Sequence, residues 1–565
     1  MKEKDTKESA VKRILICGGG TMQLPAIRVA REEGMYSIVA DGNAHCPGRR
    51  TADAFEHVDL NDLQGMADVA QRRRVDGVCT AGTDFSTTVA WVAEKLGLPG
   101  IDYETALRAK DKAIMRTALH QGGILVPPFR IYHNGVAVDE NAEVPFPAVV
   151  KPVDNMGARG VRTVTRQADL PAAIEAATHA SPSGRVILES FIPGPEYSID
   201  AISYHGSVTP CGVADRHIGF PPYFVETGHT IPSALSPERL RRLETGFARA
   251  VKVLGIDPGA AKGDVFLVPR DSAPGWLKAR AADARSAGED FLVIGEIAAR
   301  LSGGYMSGWT YPLSRGYEPV RAAIRIAVGD DPGDMHETAQ RYAAERALIS
   351  IPGTIAHFEG AEDTQGRAED TQGRAEDTQG RAEDTQAAAD ELFLTRKPGD
   401  RVSLPKSNVE KCGNLIYVDD TYEAAAAGAD ELRHRLGVRL ATPDTETERF
   451  LFGRESPELS AWDGATSGER GIIGEIEAEA SARIDSLLAA PERAHNAHAS
   501  GGTGSSKAGD NPRSRLERSA EGDRSRELER GAEGKLEIHG IDGWISTLRT
   551  RYDSYRRGSP AVTDV

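Results

Sequence analysis

Cysteine is scarce. The 565-residue chain has five, Cys17, Cys46, Cys79, Cys211 and Cys412, with no CxxC pair and no Cys/His cluster at zinc spacing. That argues against a disulfide scaffold and a structural zinc site, and the thiols read as reduced ones in a cytoplasmic protein. No stretch approaches the roughly 18 uninterrupted apolar residues of a membrane helix. The charged opening MKEKDTKESA lacks the apolar core of an export signal, so neither insertion nor export is expected. Positive charge is in deficit, with 68 Lys and Arg against 84 Asp and Glu and a net charge of −16. A broad surface for nucleic acid or anionic lipid is therefore not expected, although a local basic pocket for a phosphorylated ligand is compatible with it. Two phosphate-binding signatures are also missing. There is no GxxxxGK[ST], and ICGGGTMQLP (16–25) fails GxGxxG because Gln23 occupies the third glycine's place.

At 40% hydrophobic, the chain can build about two to four buried cores. Over 11–104, apolar bursts such as RILICGGG and YSIVADGN alternate with helical patterns such as LPAIRVAREEG and DLQGMADVAQRRR. This is a βαβ series making a parallel sheet, with ligands expected at the carboxyl ends of its strands. From 105 to 335 the pattern changes. A helix around RAKDKAIMRTALHQGG precedes a strand, glycine loop and strand in PAVVKPVDNMGARGVRTV. A hairpin at His205 and Gly206, the helix PERLRRLETGFARAVKVLG, and strands DVFLV (264–268) and FLVIGEIA (291–298) follow. The fold class is therefore α/β and α+β, multi-domain. The charged segment 272–290, between those two strands, is expected to extend into solvent.

A third region, 336–440, carries three AEDTQGR units and a partial fourth over 361–386. With only alanine as an apolar residue and a glycine in each unit, the repeat has no coiled-coil seam and reads as a solvated loop expansion. The tail, 453–565, is polar and reads as mostly disordered, with GWISTLRTRYDSYRRG as a short terminal helix.

In IGEIAARLSGG (294–304), strand alternation puts Glu296, Ala298 and Arg300 on one face. If DVFLV pairs antiparallel with it, Asp264 joins that face. Two carboxylates suit Mg²⁺ (or Mn²⁺) completed by water and phosphate oxygens, and the arginine can neutralise a transferring phosphoryl group. The plain alternative is a structural ion pair on a sheet. In KPVDNMGARGV, Gly157 and Gly160 allow backbone N–H groups to approach phosphates, with Lys151 at the foot of the loop; the alternative is a common glycine-containing hairpin. VILESFIPGPEYSID offers Glu189, an apolar linker whose backbone can read an adenine edge, and Glu196 for sugar hydroxyls; its alternative is an ordinary strand, loop and strand. Lys112 is a further phosphate candidate; its alternative is an ordinary solvated helical lysine.

In this order these pieces resemble the ATP-grasp superfamily of carboxylate-amine ligases, over roughly residues 11–440. The resemblance rests on Lys112, Lys151 with GARGV, ESFIPGPEYS, AAKGDVFLV and EIAARLSGG. It implies an ATP-grasp fold with a Rossmann-like preceding domain and a small C-terminal subdomain as in biotin-carboxylase-like members. It also implies ATP held by Lys112 and Lys151 on phosphates, by Glu189 and the backbone of Phe191 and Ile192 on adenine, and by Glu196 on ribose. Asp264 and Glu296 would hold magnesium, and Arg300 would face the γ-phosphate. The chain departs from the family in having Asp264 for a usual Glu, Ala298 for a usual Asn, and Ala158 for a frequent Ser. Ala298 removes one oxygen ligand for a second ion. FVETGHTIPS (224–233) resembles the acceptor-pocket segment of the family's amino-acid ligases, making Glu226 and His229 acceptor candidates, with Arg216 in VADRHIG as a third; the alternative for His229 is a satisfied structural histidine. The implied reaction joins a small-molecule carboxylate to an amine (or a thiol) through an acyl phosphate, releasing ADP and phosphate, with a homodimer left open. The rivals are a decayed ATP-binding or scaffold protein and an NAD-dependent oxidoreductase using the N-terminal sheet.

Overall fold

The computed structural model describes residues 11–138, 143–220, 222–281, 290–361, 391–441 and 444–447. The AEDTQGR copies beyond Ala361 and the segment 453–565 lie outside the described residues. No described helix is long and apolar enough to cross a membrane.

The N-terminal expectation is met. Strands Ala54–His57, Tyr36–Asp41, Arg13–Cys17 and Gly77–Cys79 lie side by side in that order and run parallel. Ile14, Leu15 and Ile16 are fully buried because helices cover both faces of such a sheet. Helix Leu63–Arg73 begins where the Asp62 carboxylate accepts the Gly65 N–H and ends where Arg74 turns left-handed. Two helices follow where one is expected: Tyr103–Lys110 stops at Asp111, whose side chain accepts the N–H groups of Ala113 and Ile114 and starts Lys112–Gln121 afresh. That cap sets Lys112 at the first helical position.

Residues 129–190 form a five-stranded antiparallel sheet in which Arg185–Ser190 lies between Phe129–His133 and Ala148–Pro152. Helix Leu170–Ala180 covers it, with Ala173, Ile174 and Ala177 against Val150 and Leu188. The larger body is an eight-stranded sheet in the order Asp290–Ala298, Gly259–Pro269, Glu196–Tyr204, Ser207–Gly219, Val225–Ile231, Tyr342–Leu348, Gly413–Asp419, Glu391–Leu394. Strands from both sides of residue 335 thus hydrogen-bond in one sheet. The hairpin at His205 and Gly206 is present, both residues having positive φ. Helix Pro237–Leu254 packs on this sheet through Leu243 and Phe247, both fully buried. Each such side chain contributes about 1.5–3 kcal/mol of apolar burial.

The segment 272–281 does not extend into solvent. Helix Gly275–Arg280 buries Leu277 completely, with Ala273 and Ala281 beside Ile192, Val268 and Phe291. Three apolar side chains at helical spacing found a groove that charge counting alone does not reveal; residues 282–289 lie outside the described set.

Candidate active site

Strands Gly259–Pro269 and Asp290–Ala298 run antiparallel with Asp264 opposite Glu296. Residues directly opposite in such a pair project to one face, so both carboxylates share a side of the sheet. The pairing slips by one residue just beyond, leaving Gly295 as a bulge. A Cβ there would stand 2.7 Å from the Phe266 ring and 3.0 Å from the Asp264 carbonyl, so glycine is what fits. Arg300 does not lie on the strand. The ladder ends at Lys262 opposite Ala298, and the chain bends away so that Ser302 can give its N–H (3.1 Å) and hydroxyl (2.6 Å) to Asp200 Oδ2. Arg300 therefore leaves from the bend, near enough to Asp200 to act on its carboxyl. Its Nη1 donates to the Leu301 carbonyl at 3.0 Å, while its buried Nε has no hydrogen-bond partner among the described residues.

Cations surround the two carboxylates. Lys262 Nζ stands 2.5 Å from Asp264 Oδ1. Arg216 divides its guanidinium among Glu196 (2.5 Å), Asp264 (2.7 Å) and Glu226 (3.0 Å). Lys112 is buried, 3.1 Å from Glu296 Oε1, and donates to the Asn155 carbonyl at 2.9 Å. Burial alone would raise the Glu296 carboxyl, but the ammonium groups of Lys112, Lys151 and Lys262 outweigh it and bring it down to about 2. For Glu196, burial prevails over Arg216 and the carboxyl is raised. Both oxygens of Glu189 are taken, one by Arg116 Nε at 2.6 Å and the other by Lys151 Nζ at 2.5 Å. The Phe191 N–H donates to the Pro147 carbonyl at 2.9 Å. In the glycine loop, Gly157 has φ +66, and a Cβ there would meet Val409 at 3.8 Å and Asn408 at 4.0 Å, ordinary contacts. Gly160 differs: a Cβ there would meet Ala180 at 2.6 Å and Pro152 at 3.0 Å, so its smallness serves packing.

Glu226 and His229 meet on the far side of Arg216. His229 is fully buried, with Nε2 3.1 Å from Thr310 Oγ1 and Nδ1 3.1 Å from Glu345 Oε2 and 3.8 Å from Glu226 Oε1. Glu226, His229 and Glu345 are close enough to share an ion, but their charge is already compensated. Burial raises the Glu226 carboxyl, yet Arg216, Lys411 and His229 bring it to about 2; Glu345 is lowered, against its burial, by His229 and Lys411. A polar pocket describes this cluster better than a metal centre. The glycines after Arg300 close it. A Cβ on Gly303 would stand 3.0 Å from the Gly82 carbonyl, and one on Gly304, at φ +62, 3.6 Å from Glu226 Oε1. The turn therefore lies between the N-terminal domain and the Glu226 carboxylate. The glycines of 18–20 are occupied from within: the Gly19 N–H donates to Asp41 Oδ2 at 2.7 Å, and a Gly19 Cβ would collide with Cys46 Sγ at 2.5 Å. Little room is left there for a dinucleotide's pyrophosphate.

Sequence reasoning missed Lys262, Arg116, Asp200 and Glu345. Lys262 was legible, two residues before Asp264 and hence on its face. Arg116 and Glu345 carry no local signal, and Asp200 is one of many alternating positions in EYSIDAISY.

Residues 144–267 match the ATP-grasp domain and residues 370–441 the L-amino acid ligase C-terminal domain 2. Uncharacterized protein y4rH of Sinorhizobium fredii is 30% identical over 294 residues, covering 51% of this chain and 56% of its own length. Carnosine synthase 1 of Gallus gallus is 24% identical over 348 residues, 56% of this chain and 35% of its own length. The chain thus spans only about half and a third of these relatives. The crystal structure of L-amino acid ligase from Bacillus licheniformis superposes with a TM-score of 0.61 at 19% identity, over 76% of this chain and 99% of that one. The fold is that of ATP-grasp proteins.

Proposed function

Because residues 144–267 are an ATP-grasp domain, we propose that the chain is an ATP-dependent carboxylate-amine ligase. A substrate carboxylate oxygen attacks the γ-phosphorus of ATP and ADP leaves. The amine nitrogen then bonds to the acyl carbon, phosphate departs and the nitrogen loses a proton, leaving an amide. The observation that carries this reading is the pairing of Asp264 with Glu296 on one sheet face among Lys112, Lys151, Lys262 and Arg216. The L-amino acid ligase match of the C-terminal region favours an α-amino acid as at least one substrate.

The donor set fits magnesium or manganese. Asp264 and Glu296 offer hard oxygens on one face, and the lysines and arginine now gripping them would turn to the phosphates of a bound nucleotide. Bound there, the ion would neutralise phosphate charge. Ala298 supplies no further oxygen. Lys112 and Lys151 hold phosphate oxygens, with the Gly157 backbone above them. Glu189, its oxygens both paired, orients Lys151 more than it reads adenine. The backbone at Phe191 and Ile192 takes the base, and Glu196 the ribose. Arg300, with a buried N–H unspent, meets charge developing on the transferred group. Arg216, Glu226 and His229 order the acceptor. Catalysis is thus positioning and charge neutralisation, without a covalent enzyme intermediate.

The test is ADP release across paired amino acids and small carboxylates with magnesium or manganese. Glu296→Gln should lower turnover by about 100-fold or more while leaving thermal unfolding nearly unchanged. ADP release by the variant at the wild-type rate, or none from wild type with any pair, removes the proposal.

A further inference from the structure

Asn408 joins two segments that the ligase reaction must bring into step. It lies at the start of the short turn Asn408–Glu410, in the C-terminal region, far in sequence from either partner. Its backbone N–H donates to the Gly157 carbonyl at 3.0 Å, on the glycine loop assigned to the phosphates. Its side-chain Oδ1 accepts the Glu226 N–H at 2.8 Å, on the strand assigned to the acceptor. The ladder between Val225–Ile231 and Tyr342–Leu348 ends with Gly228 opposite Arg346. Glu226 lies two residues past that end, so Asn408 replaces the missing strand neighbour. The same turn is braced nearby. Lys411 Nζ donates to the Glu226 carbonyl at 3.3 Å, and Arg396 Nη2 to the Val409 carbonyl at 3.0 Å. Val409 itself is 57% exposed, so the turn is not held by an apolar anchor at its tip.

Resting on the ligase reading above, we propose that Asn408 is a positioning residue that couples closure of the glycine loop over nucleotide to placement of Glu226 in the acceptor pocket. One residue bonded to both segments transmits order from one to the other: a loop fixed at Gly157 fixes Asn408, and Asn408 fixes the backbone from which the Glu226 carboxylate projects. The Gly157 bond uses main chain and survives substitution. The Glu226 bond uses the side chain and does not, so replacing the side chain cuts the link at one end only.

The experiment is backbone amide exchange of the full chain with and without the magnesium complex of a non-hydrolysable ATP analogue. In wild type, nucleotide should slow exchange in both 155–160 and 225–228. In Asn408→Ala the slowing at 155–160 should persist, while that at 225–228 should shrink by about 3- to 10-fold, the worth of one neutral hydrogen bond. Asn408→Asp, which keeps the acceptor oxygen, should restore it; a merely structural role would not make the nucleotide effect follow the acceptor atom. Equal nucleotide effects at 225–228 in Asn408→Ala and wild type overturn the proposal, as does failure of Asn408→Asp to restore. Wild-type slowing confined to 155–160 overturns it while leaving the nucleotide assignment standing. No slowing at either segment overturns the nucleotide assignment and this proposal together.

Discussion

Replacing Arg116 with methionine should cost about 4 kcal/mol or more of stability. Arg116 is fully buried on helix Lys112–Gln121. Its Nε is 2.6 Å from Glu189 Oε1, Nη1 3.0 Å from the Ile294 carbonyl, and Nη2 2.7 Å from the Gly295 carbonyl. It thereby ties strand Arg185–Ser190 to the bulge that aims Glu296. Methionine keeps most of the apolar stem and loses all three donors. Breaking a buried ion pair from one side costs about 3–5 kcal/mol, and each buried carbonyl left unbonded adds about 1–3. Lys151 remains on Glu189 and offsets part of the first term, which brings the expected loss to about 4, just under the summed lower ends of about 5. Against a usual total of about 5–15 kcal/mol, that is a large fraction. Urea unfolding followed by far-UV circular dichroism measures it. A second arm isolates the pair: in the cycle with Glu189→Gln, the double variant should be less destabilised than the sum of the singles by about 1–3 kcal/mol. A loss below about 1 kcal/mol, or additivity within about 0.5, refutes the claim that Arg116 is the electrostatic tie beneath the site.

Asp200 supplies a pH signature. Burial, opposed by its Ser302 bonds and by Lys262 and Arg300, raises its carboxyl to about 6 from 3.8. Between those values the folded state holds a proton that the unfolded state has released, so the group's contribution to stability falls as pH rises. About two pH units at 1.36 kcal/mol each give a loss approaching 3 kcal/mol above pH 6. Asp200→Asn removes the ionisation, so the wild-type stability minus the variant's should decline between pH 4.5 and 7; a flat difference contradicts the reading. Gly77→Ala tests the seam between the N-terminal sheet and helix Pro319–Ala327. Its Cβ would stand 2.1 Å from the Ala327 carbonyl oxygen, and backbone cannot swing aside, so about 1–3 kcal/mol should be lost. Gly275→Ala, with nothing within 4 Å of its Cβ position, is the control; equal thermal midpoints for the two variants would sink the argument.

The parts of the site that were legible in sequence share one property: each is fixed by the period of its own element. Glu296 and Asp264 follow from two apolar strands and one pairing, and Lys262 follows from Asp264 by the same rule of two. Arg300 escapes that rule. Where its strand stops is decided by Asp200, which bends the chain by taking the N–H and hydroxyl of Ser302, 102 residues on. The helix break at Asp111 was legible in principle, an aspartate one residue before Lys112 being a good cap, but the flanking helical pattern masks it.

Counter-charges are harder to read for a different physical reason. A buried carboxylate needs a cation within a few ångströms, yet it does not matter to the carboxylate which element supplies it. Arg116 serves Glu189 from a helix, Arg216 serves Asp264 from a strand, and Lys411 serves Glu226 from the C-terminal region. Composition along the chain therefore constrains the sum of charge around such a site but not its donors. The same freedom lets Asn408, 182 residues from Glu226, complete a sheet edge with a side chain where another strand would ordinarily do it. Residues that act through main-chain order leave their mark in local pattern. Those that act by meeting a distant charge or an unpaired N–H leave theirs only in the folded chain, which is where Asn408 comes to bond both Gly157 and Glu226.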